Sequence, residues 1–177
     1  LNLSVESNRL LEKTYLSFVR NGALLSAEKK SILRQLDHEL STLGPQFSEN
    51  VLKATNAFEL VLEKNDLAGL PSSAIEAAKE LAESKGQAGK YIFNLQIPSY
   101  MPMMTYSSRR DLREKLFRAY NSRSFEGPFN NQDLIKKNLT LKSKRAHLLG
   151  FKNHADFVLQ ERMAQTATQV IGFLDRI

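Results

Sequence analysis

The apolar residues of this chain recur at helical spacing over most of its length. From Leu10 to Val19 they fall every three or four positions, and Asn21-Gly22 follows as a typical end of a helix. Ser26 is a suitable N-cap for a second, much longer helix, whose apolar stripe continues to Phe58. The spacing therefore predicts a first helix that ends at Asn21-Gly22 and a long second helix that starts after Ser26.

A proline lies near the middle of this second helix. Proline lacks an amide hydrogen and crowds the preceding turn, which costs about 3 kcal/mol inside a helix. Because the apolar stripe keeps its phase on both sides of Gly44-Pro45, we predict a kink there rather than an end. About thirty residues of helix extend roughly 45 Å, enough for an antiparallel pairing with the first helix or for a rod that spans a large domain. The stripe is too short to favour a coiled coil.

The segment Lys90–Tyr106 departs from the helical pattern. Aromatic and aliphatic residues alternate along its first half, at Tyr91, Phe93, Leu95 and Ile97. This period of two is typical of a half-buried strand, and the upstream residues Phe58–Glu63 are also rich in β-forming types. Pro98 and Pro102 then disfavour both a helix and central-strand pairing. We therefore predict a strand followed by an irregular apolar segment, both packed against helices.

Two capping boxes predict the starts of further helices. Ser73 with Glu76 has the required spacing, and the helix that follows should end at Gly86. Thr166 with Gln169 has the same spacing, so we predict that the last helix starts there.

Glycines mark the remaining breaks. Gly127-Pro128 separates an arginine-rich helix from one that extends from about Gln132 to a stop at Gly150. A shorter helix is predicted over Ala155–Met163. The predicted fold class is therefore mainly α: a multi-helix region of residues 1–177 with long antiparallel helices and a small extended or β segment near residues 91–106.

Composition narrows the kind of protein. The chain has 177 residues, of which 42% are hydrophobic, so it can bury a core of ordinary domain size. It contains no cysteine, which excludes disulfides and thiolate zinc sites and fits a reducing compartment such as the cytoplasm. No stretch approaches the length of a membrane-spanning helix and no signal peptide is visible, so we expect no membrane partner.

Both ends of the sequence suggest a longer polypeptide. Leu1 stands where a complete protein has methionine, and the apolar run at Ile177 stops before anything has ended its helix. We therefore expect the chain to be a fragment of a larger protein, called the parent polypeptide below. Whether a targeting segment precedes Leu1 is left open by the sequence.

The positive charge lies in the second half of the chain. Residues 1–97 carry 11 Lys and Arg against 12 Asp and Glu, whereas residues 98–177 carry 14 against 7. The resulting net charge of +6 could attract nucleic acid or the carboxylates of acidic peptides. Solvated helix faces on part of a larger protein explain the same imbalance and are the favoured interpretation.

Four arginines of the predicted helix 109–123 occur with two tyrosines, a mixture typical of surfaces that bind single-stranded nucleic acid. They are Arg109, Arg110, Arg113 and Arg118, with Tyr106 and Tyr120. Asp111 and Glu114 alternate with the arginines, however, and this pattern favours local ion pairs on a helix that Ser107 or Ser108 can cap. A basic helical module that binds nucleic acid or a protein partner is therefore the alternative function. A steep salt dependence of oligonucleotide binding would reveal it.

Three methionines lie beside the two prolines, at Met101, Met103 and Met104. Methionine is flexible and polarizable, so such a group could form an adaptable peptide-binding surface. Core filling is the favoured interpretation.

One histidine lies in half of a metal-binding pattern. In His-Glu-x-x-His, two imidazoles one helical turn apart bind zinc and the glutamate activates the bound water. His38-Glu39 matches the start of this pattern, but Thr42 stands where the second histidine is required. We therefore interpret His38 as an ordinary residue of the helix surface.

The other two histidines form no better site. Gly150 separates His147 from His154, so they are not expected to share a helix face. A set of His147 with Asp156 or Glu161 lacks any feature that would order it. We accordingly assign no catalytic, cofactor-binding or metal-binding residue to this chain.

Six stretches carry a family resemblance: LEKTYLSFVRNGALLSAEKK, LSTLGPQFSENVLKATNAFELVLE, LAGLP, FNLQIPSYMPMMTY, RRDLREKLFRAY and HLLGFKNHADFVLQERMAQT. In this order, they resemble the N-terminal helical region of the thimet oligopeptidase family of zinc metallopeptidases. Within the family, which includes oligopeptidase A-like enzymes, the chain looks most like the bacterial peptidyl-dipeptidase branch. The resemblance covers about Leu10 to Ile177. These are scaffold motifs, so they indicate the family better than the activity.

The resemblance implies a mostly α-helical, bilobed enzyme with a deep channel that admits short unstructured peptides. It implies one zinc ion, held by a His-Glu-x-x-His helix and a later glutamate beyond Ile177, with the motif glutamate as general base on metal-activated water. This chain would then be a non-catalytic N-terminal lobe without bound zinc and inactive alone. Its partners would be peptide substrates and the catalytic remainder of the same polypeptide. Gly44-Pro45 departs from the unbroken helix expected of the family.

Overall fold

The computed structural model describes residues 3–177 of the chain. In this range it contains α1 (Val5–Arg20), α2 (Ala27–Ala57), β1 (Leu60–Leu62), α3 (Ser72–Ser84), β2 (Tyr91–Phe93), α4 (Ile97–Tyr106), α5 (Arg110–Asn121), α6 (Gln132–Leu148), α7 (His154–Leu159) and α8 (Ala167–Leu174). Single turns of 3-10 helix occur at Lys64–Asp66 and Gly127–Phe129. The predicted mainly α fold class is confirmed. None of the helices in residues 3–177 is long and apolar enough to cross a membrane.

The chain divides into two compact units. Unit 1 consists of the residues up to Gly44 and from Leu134 onward, and unit 2 is Pro45–Asp133. Helix α2 contributes residues to both, because it passes Pro45 without ending. The predicted continuity of this helix through Gly44-Pro45 is therefore confirmed, whereas the kink stays a prediction.

A short two-stranded sheet, whose strands are joined through helix α3, forms the centre of the unit 2 core. β1 and β2 are antiparallel, with Leu60 opposite Phe93 and Leu62 opposite Tyr91. Helices α3, α4 and α5 add apolar side chains to the same cluster, which contains Leu60, Leu62, Leu67, Leu70, Ala78, Phe93, Leu95, Tyr100, Met103 and Leu116. Unit 2 therefore has a continuous core of its own.

A buried asparagine attaches the second half of α2 to the start of α6 within unit 2. The Asn131 side chain is only 2% exposed. Its amide nitrogen donates to the Phe47 carbonyl at 3.1 Å, and its amide oxygen accepts from the Asn50 side chain at 2.8 Å. Both polar ends of the amide are thus satisfied, as a buried side chain requires.

The core of unit 1 is much smaller. Its buried cluster consists of Leu36, Leu43 and Leu141, and half-buried leucines of α2 and α6 surround it. No residue of α1, α7 or α8 is buried. Large apolar side chains of α1 and α8, such as Phe18 and Leu174, therefore stay exposed in unit 1.

Helix α7 is attached to the rest of unit 1 mainly through Phe157. The guanidinium carbons of Arg20 and Arg145 lie 4.8 and 5.1 Å from the Phe157 ring centroid. Arg20 also donates to the Phe157 carbonyl at 2.6 Å, and Arg145 donates to Asp37 at 2.6 Å. Two arginine side chains thus contact one aromatic ring at cation–π distance and help hold α7 in place.

Several predicted helix ends are confirmed. Helix α1 ends next to Asn21. Helix α2 starts after Ser26, whose hydroxyl oxygen accepts from the Lys29 amide at 3.4 Å. The Thr166 hydroxyl oxygen accepts from the Gln169 amide at 3.3 Å and caps α8 as predicted.

The predicted irregular segment is wrong for residues 97–106, which form helix α4. Pro98 lies in the first turn, where a missing amide hydrogen costs no helical bond. Pro102 lies inside the helix and removes one bond, the one to the Pro98 carbonyl. The helix nevertheless forms because Tyr100 and Met103 are buried in the unit 2 core, and tertiary packing supplies most of the stability of a short helix.

Two predicted caps are also wrong. The N-cap of α3 is Pro71, in an extended conformation, so Ser73 lies inside the helix. The N-cap of α5 is Arg109 rather than Ser107 or Ser108. The Ser107 hydroxyl oxygen instead accepts from the Arg109 amide at 3.3 Å, which orients the chain before the helix begins.

We predict that Gly69→Ala destabilises unit 2 by about 2 kcal/mol or more. Gly69 has a φ of +88°, and a Cβ there would lie 2.3 Å from the Tyr106 carbonyl oxygen and 2.7 Å from the Ser108 hydroxyl oxygen. The matched control is Gly44→Ala, because a Cβ at Gly44 meets no atom within 4 Å and alanine favours the helix by about 0.5–1 kcal/mol. Urea unfolding followed by circular dichroism measures both. Unchanged stability of Gly69→Ala would contradict the close approach.

Candidate functional site

The half-matched zinc pattern lies on the surface of α2. His38 and Thr42 are both exposed, and the Thr42 hydroxyl donates to the Glu39 carbonyl at 2.8 Å. No set of three or more metal-ligating side chains comes together in residues 3–177. The predicted position of His38 on the helix surface is confirmed by its exposure.

The other two histidines have separate surroundings. The Nε2 atom of His147 lies 2.8 Å from the Lys152 carbonyl oxygen. Burial lowers the pKa of His154, and the charges of Lys142 and Arg145 lower it further. Neither histidine is hydrogen-bonded to a carboxylate in the described part of the chain.

The carboxylates considered with His147 have other partners. Asp156 accepts from the Asn153 side chain at 3.0 Å, in the first turn of α7. A carboxylate oxygen of Glu161 lies 3.3 Å from Arg20 Nη1, an ion pair without hydrogen-bond alignment. The structure thus does not assemble the set of His147 with Asp156 or Glu161.

The arginines of α5 mostly form local ion pairs, as the favoured interpretation predicted. Arg109 pairs with Asp111 at 2.7 Å and with Asp66 at 2.6 Å. Arg118 pairs with Glu114 at 2.8 Å. The hydrogen bond from Arg109 holds the pKa of the Asp111 carboxyl below its usual value, and the same bond raises the pKa of the Arg109 guanidinium.

Two further arginines of this helix differ from these. Arg113 donates to the Ser107 carbonyl and so closes the turn before α5. Arg110 is exposed and lies beside a cleft of about 230 Å³, which is also lined by Met104 and Phe117. Its guanidinium has no carboxylate within ion-pair distance among the described residues, so Arg110 is the α5 arginine best placed to bind an external carboxylate.

A stack of three side chains was not predicted from the sequence. The Tyr100 and Tyr120 rings lie 4.2 Å apart and nearly parallel, and the Arg123 guanidinium lies 3.6 Å from the Tyr120 centroid. Arg123 also donates to the Thr55 hydroxyl at 3.1 Å. These contacts join α4, α5 and the end of α2, so Tyr120 and Arg123 serve the packing of unit 2.

The methionines mostly fill the core, as predicted. Met103 is completely buried, and Met104 packs against the same cluster. Met101 is 50% exposed and lies outside the core.

Helix α1 carries an apolar face that nothing covers in the described residues. Leu11, Tyr15 and Phe18 lie on one side of the helix and are 57%, 58% and 66% exposed. We call these three residues the α1 face. Such exposure of large side chains at helical spacing is typical of a surface that binds another protein segment.

Helix α8 has a similar surface. Ile171 and Leu174, which lie one turn apart, are 58% and 60% exposed, and we call these two residues the α8 face. Both faces belong to unit 1, whose own buried cluster is small.

Comparison with known proteins gives the family context. Residues 103–177 match the model of Peptidase family M3. The chain is 41% identical to oligopeptidase A of Haemophilus influenzae over 98% of its own length, but it covers only 26% of that protein. It is 33% identical to the dipeptidyl carboxypeptidase of Escherichia coli and 28% identical to a thimet-like oligopeptidase of Dictyostelium discoideum, covering 26% and 25% of them.

The predicted family resemblance is therefore confirmed: the chain is homologous to peptidases of family M3 over nearly its whole length. The chain spans about a quarter of the length of these curated relatives. The narrower resemblance to the peptidyl-dipeptidase branch is corrected, because the identity to oligopeptidase A is higher than that to dipeptidyl carboxypeptidase. The six quoted stretches belong to the scaffold that both branches share, so they could not show which branch the chain resembles more.

We predict that the chain binds no zinc in stoichiometric amount, whereas Thr42→His gains measurable binding. The substitution places an imidazole one turn from His38 on the exposed side of α2, which supplies the missing ligand pair. Isothermal titration with zinc chloride measures both. Thr42→Gln is the control for the change in side-chain size. Binding of one zinc ion by the unsubstituted chain would contradict the assignment of its histidines.

Proposed function

We propose that this chain is the N-terminal, non-catalytic lobe of a zinc-dependent oligopeptidase that hydrolyses short unstructured peptides. One observation supports the proposal most directly. The chain is 41% identical to oligopeptidase A of Haemophilus influenzae over 98% of its own length, yet it covers only 26% of that protein. Names of several relatives, among them oligopeptidase A and dipeptidyl carboxypeptidase, state peptide hydrolysis. We extend that activity to the parent polypeptide.

The catalytic residues belong, in this proposal, to the remainder of the parent polypeptide. The only His-Glu pair of the sequence lacks its second histidine, and the three histidines have separate surroundings. The described residues do not fit a zinc ion, so we derive no step of the reaction through this chain. Its contribution is structural: it forms one wall of the channel that admits peptides.

The exposed apolar surfaces support this role. The α1 face and the α8 face are too large to leave in water without a cost, since burial of one such side chain contributes about 1.5–3 kcal/mol. The remaining three quarters of the polypeptide offer the natural cover for them. A cytoplasmic location of the parent polypeptide is part of the same proposal, and one relative is named as a probable cytosolic oligopeptidase A.

In this proposal, Arg110 is the residue through which the lobe contacts substrate. Its guanidinium lies beside the apolar side chains of Met104 and Phe117, and Glu114, which lines the same cleft, is paired with Arg118 at 2.8 Å. This arrangement fits a peptide end that carries both a carboxylate and an apolar residue. We propose that this part of unit 2 attracts the C-terminal carboxylate of the peptide in the channel.

We predict that the purified chain cleaves no quenched fluorescent peptide, with or without added zinc. The full-length parent polypeptide should cleave the same peptides and lose activity on treatment with a chelator, because its metal and general base lie outside this chain. Fluorescence release measures both. Chelator-sensitive turnover by the chain alone would overturn the proposed division of roles. Salt-sensitive oligonucleotide binding by an inactive full-length protein would instead favour the basic module.

We further predict that Arg110→Glu in the full-length parent raises KM several-fold for peptides with a free C-terminal carboxylate. Repulsion between two carboxylates replaces an attraction, so the effect should vanish for C-terminally amidated peptides and at high salt. Lys115→Glu, on the same helix but outside the cleft, is the matched control for charge. An unchanged KM for the free-acid peptides would reject the contact.

A further inference from the structure

We propose that a groove on unit 1 binds an amphipathic helix with acidic edges, supplied by the part of the parent polypeptide outside this chain. The inference rests on the proposed function, because it requires a longer polypeptide. It adds a specific internal partner and its chemistry.

The groove lies between α2 and α6. On α2 it extends from Lys29 to Glu39, and on α6 from Lys137 to Leu148. Ten residues of helix rise about 15 Å, so the groove matches about three turns of a bound helix. Its open volume is about 830 Å³, which suits the buried side of such a helix rather than a single side chain.

The floor of the groove is apolar. Leu36 and Leu141 are buried in the small core of unit 1, whereas Ile32 remains 44% exposed and Leu148 is half-buried beside them. The aliphatic surface thus continues from the core into the groove. An apolar stripe of a second helix would extend the core of unit 1, whose buried cluster contains three leucines.

The rim of the groove is basic. Lys29, Lys137 and Lys144 line it, and Glu39 is its one carboxylate. Glu39 pairs with Lys137 at 3.1 Å, which leaves the ammonium groups of Lys29 and Lys144 without a carboxylate within ion-pair distance in residues 3–177. Two free cations at the edges of an apolar floor are complementary to carboxylates that flank an apolar stripe.

The apolar floor and the basic rim together indicate which kind of molecule binds in the groove. A nucleic acid would bind the lysines but would not bury Ile32, and an apolar ligand would bury Ile32 but would leave both cations unused. A helix with an apolar stripe and acidic flanks satisfies both. A segment of the same polypeptide has a high effective concentration at the groove, and the relatives are about four times as long as this chain.

Cysteine labelling of the full-length parent tests the inference. The chain contains no cysteine, so Thr140→Cys in the groove and His38→Cys outside it can each be placed in a parent whose other cysteines are replaced. Both positions are exposed in this structure. We expect maleimide to label Thr140→Cys at least tenfold more slowly than His38→Cys, with equal rates in urea. Equal rates in the native parent would overturn the inference.

A second experiment tests whether the bound helix has acidic flanks. Lys29→Glu with Lys144→Glu should raise the labelling rate of Thr140→Cys at least several-fold, because it repels acidic flanks. Arg34→Glu, an exposed residue of α2 outside the groove, is the matched control and should leave the rate unchanged. Protection that the double reversal does not change would reject the acidic chemistry.

Cross-linking from Thr140→Cys identifies the occupant by mass spectrometry. A cross-link to a helix of the parent outside these 177 residues supports the inference. A cross-link to a second copy or to an added acidic peptide overturns it. Peptidase activity of the same samples is measured separately, so an inactive parent with a protected groove contradicts the proposed function but not the occupant.

Discussion

The limited core of unit 1 leaves large apolar side chains of this unit exposed. Its buried cluster contains three leucines, whereas two whole helices, α1 and α8, bury no residue at all. Each exposed side chain of this size represents about 1.5–3 kcal/mol of unused burial, which is why we propose that further protein covers unit 1. The groove between α2 and α6 belongs to the same pattern. Its apolar floor leads out of the small core, and its free lysines at positions 29 and 144 specify what should cover it.

Unit 2 buries more of its apolar side chains than unit 1 does. A two-stranded antiparallel sheet and three helices enclose a continuous apolar core, and buried polar groups attach α2 to it. Asn131 uses both ends of its amide on Phe47 and Asn50, and Arg123 stacks on Tyr120 while it donates to Thr55. The functional contribution that we assign to unit 2 is correspondingly small and local. It rests on Arg110, whose charge is not used within the described part of the chain.

Much of the fold could be predicted from the sequence, because periodicity and caps act locally. The ends of α1 and α2 and the cap at Thr166 follow from such signals. The errors occur where distant contacts override them. Pro102 lies in a helix because its neighbours are buried in the unit 2 core, and the start of α3 is set by Pro71 rather than Ser73. The candidate site was harder to predict from the sequence. Whether Arg110 has an ion-pair partner depends on which carboxylates pair with the neighbouring arginines. Alternation of charges along α5 showed that ion pairs would form, but not which arginine would remain without one.

We propose that this chain is one lobe of a longer peptidase whose catalytic groups lie elsewhere in the same polypeptide. The most direct test is to read the open reading frame of the gene past the codon for Ile177. The account predicts a continuous frame, several hundred codons long, that encodes a His-Glu-x-x-His helix followed by a later glutamate ligand. A stop codon close to Ile177 would contradict the account and leave a basic helical module whose exposed faces need another partner.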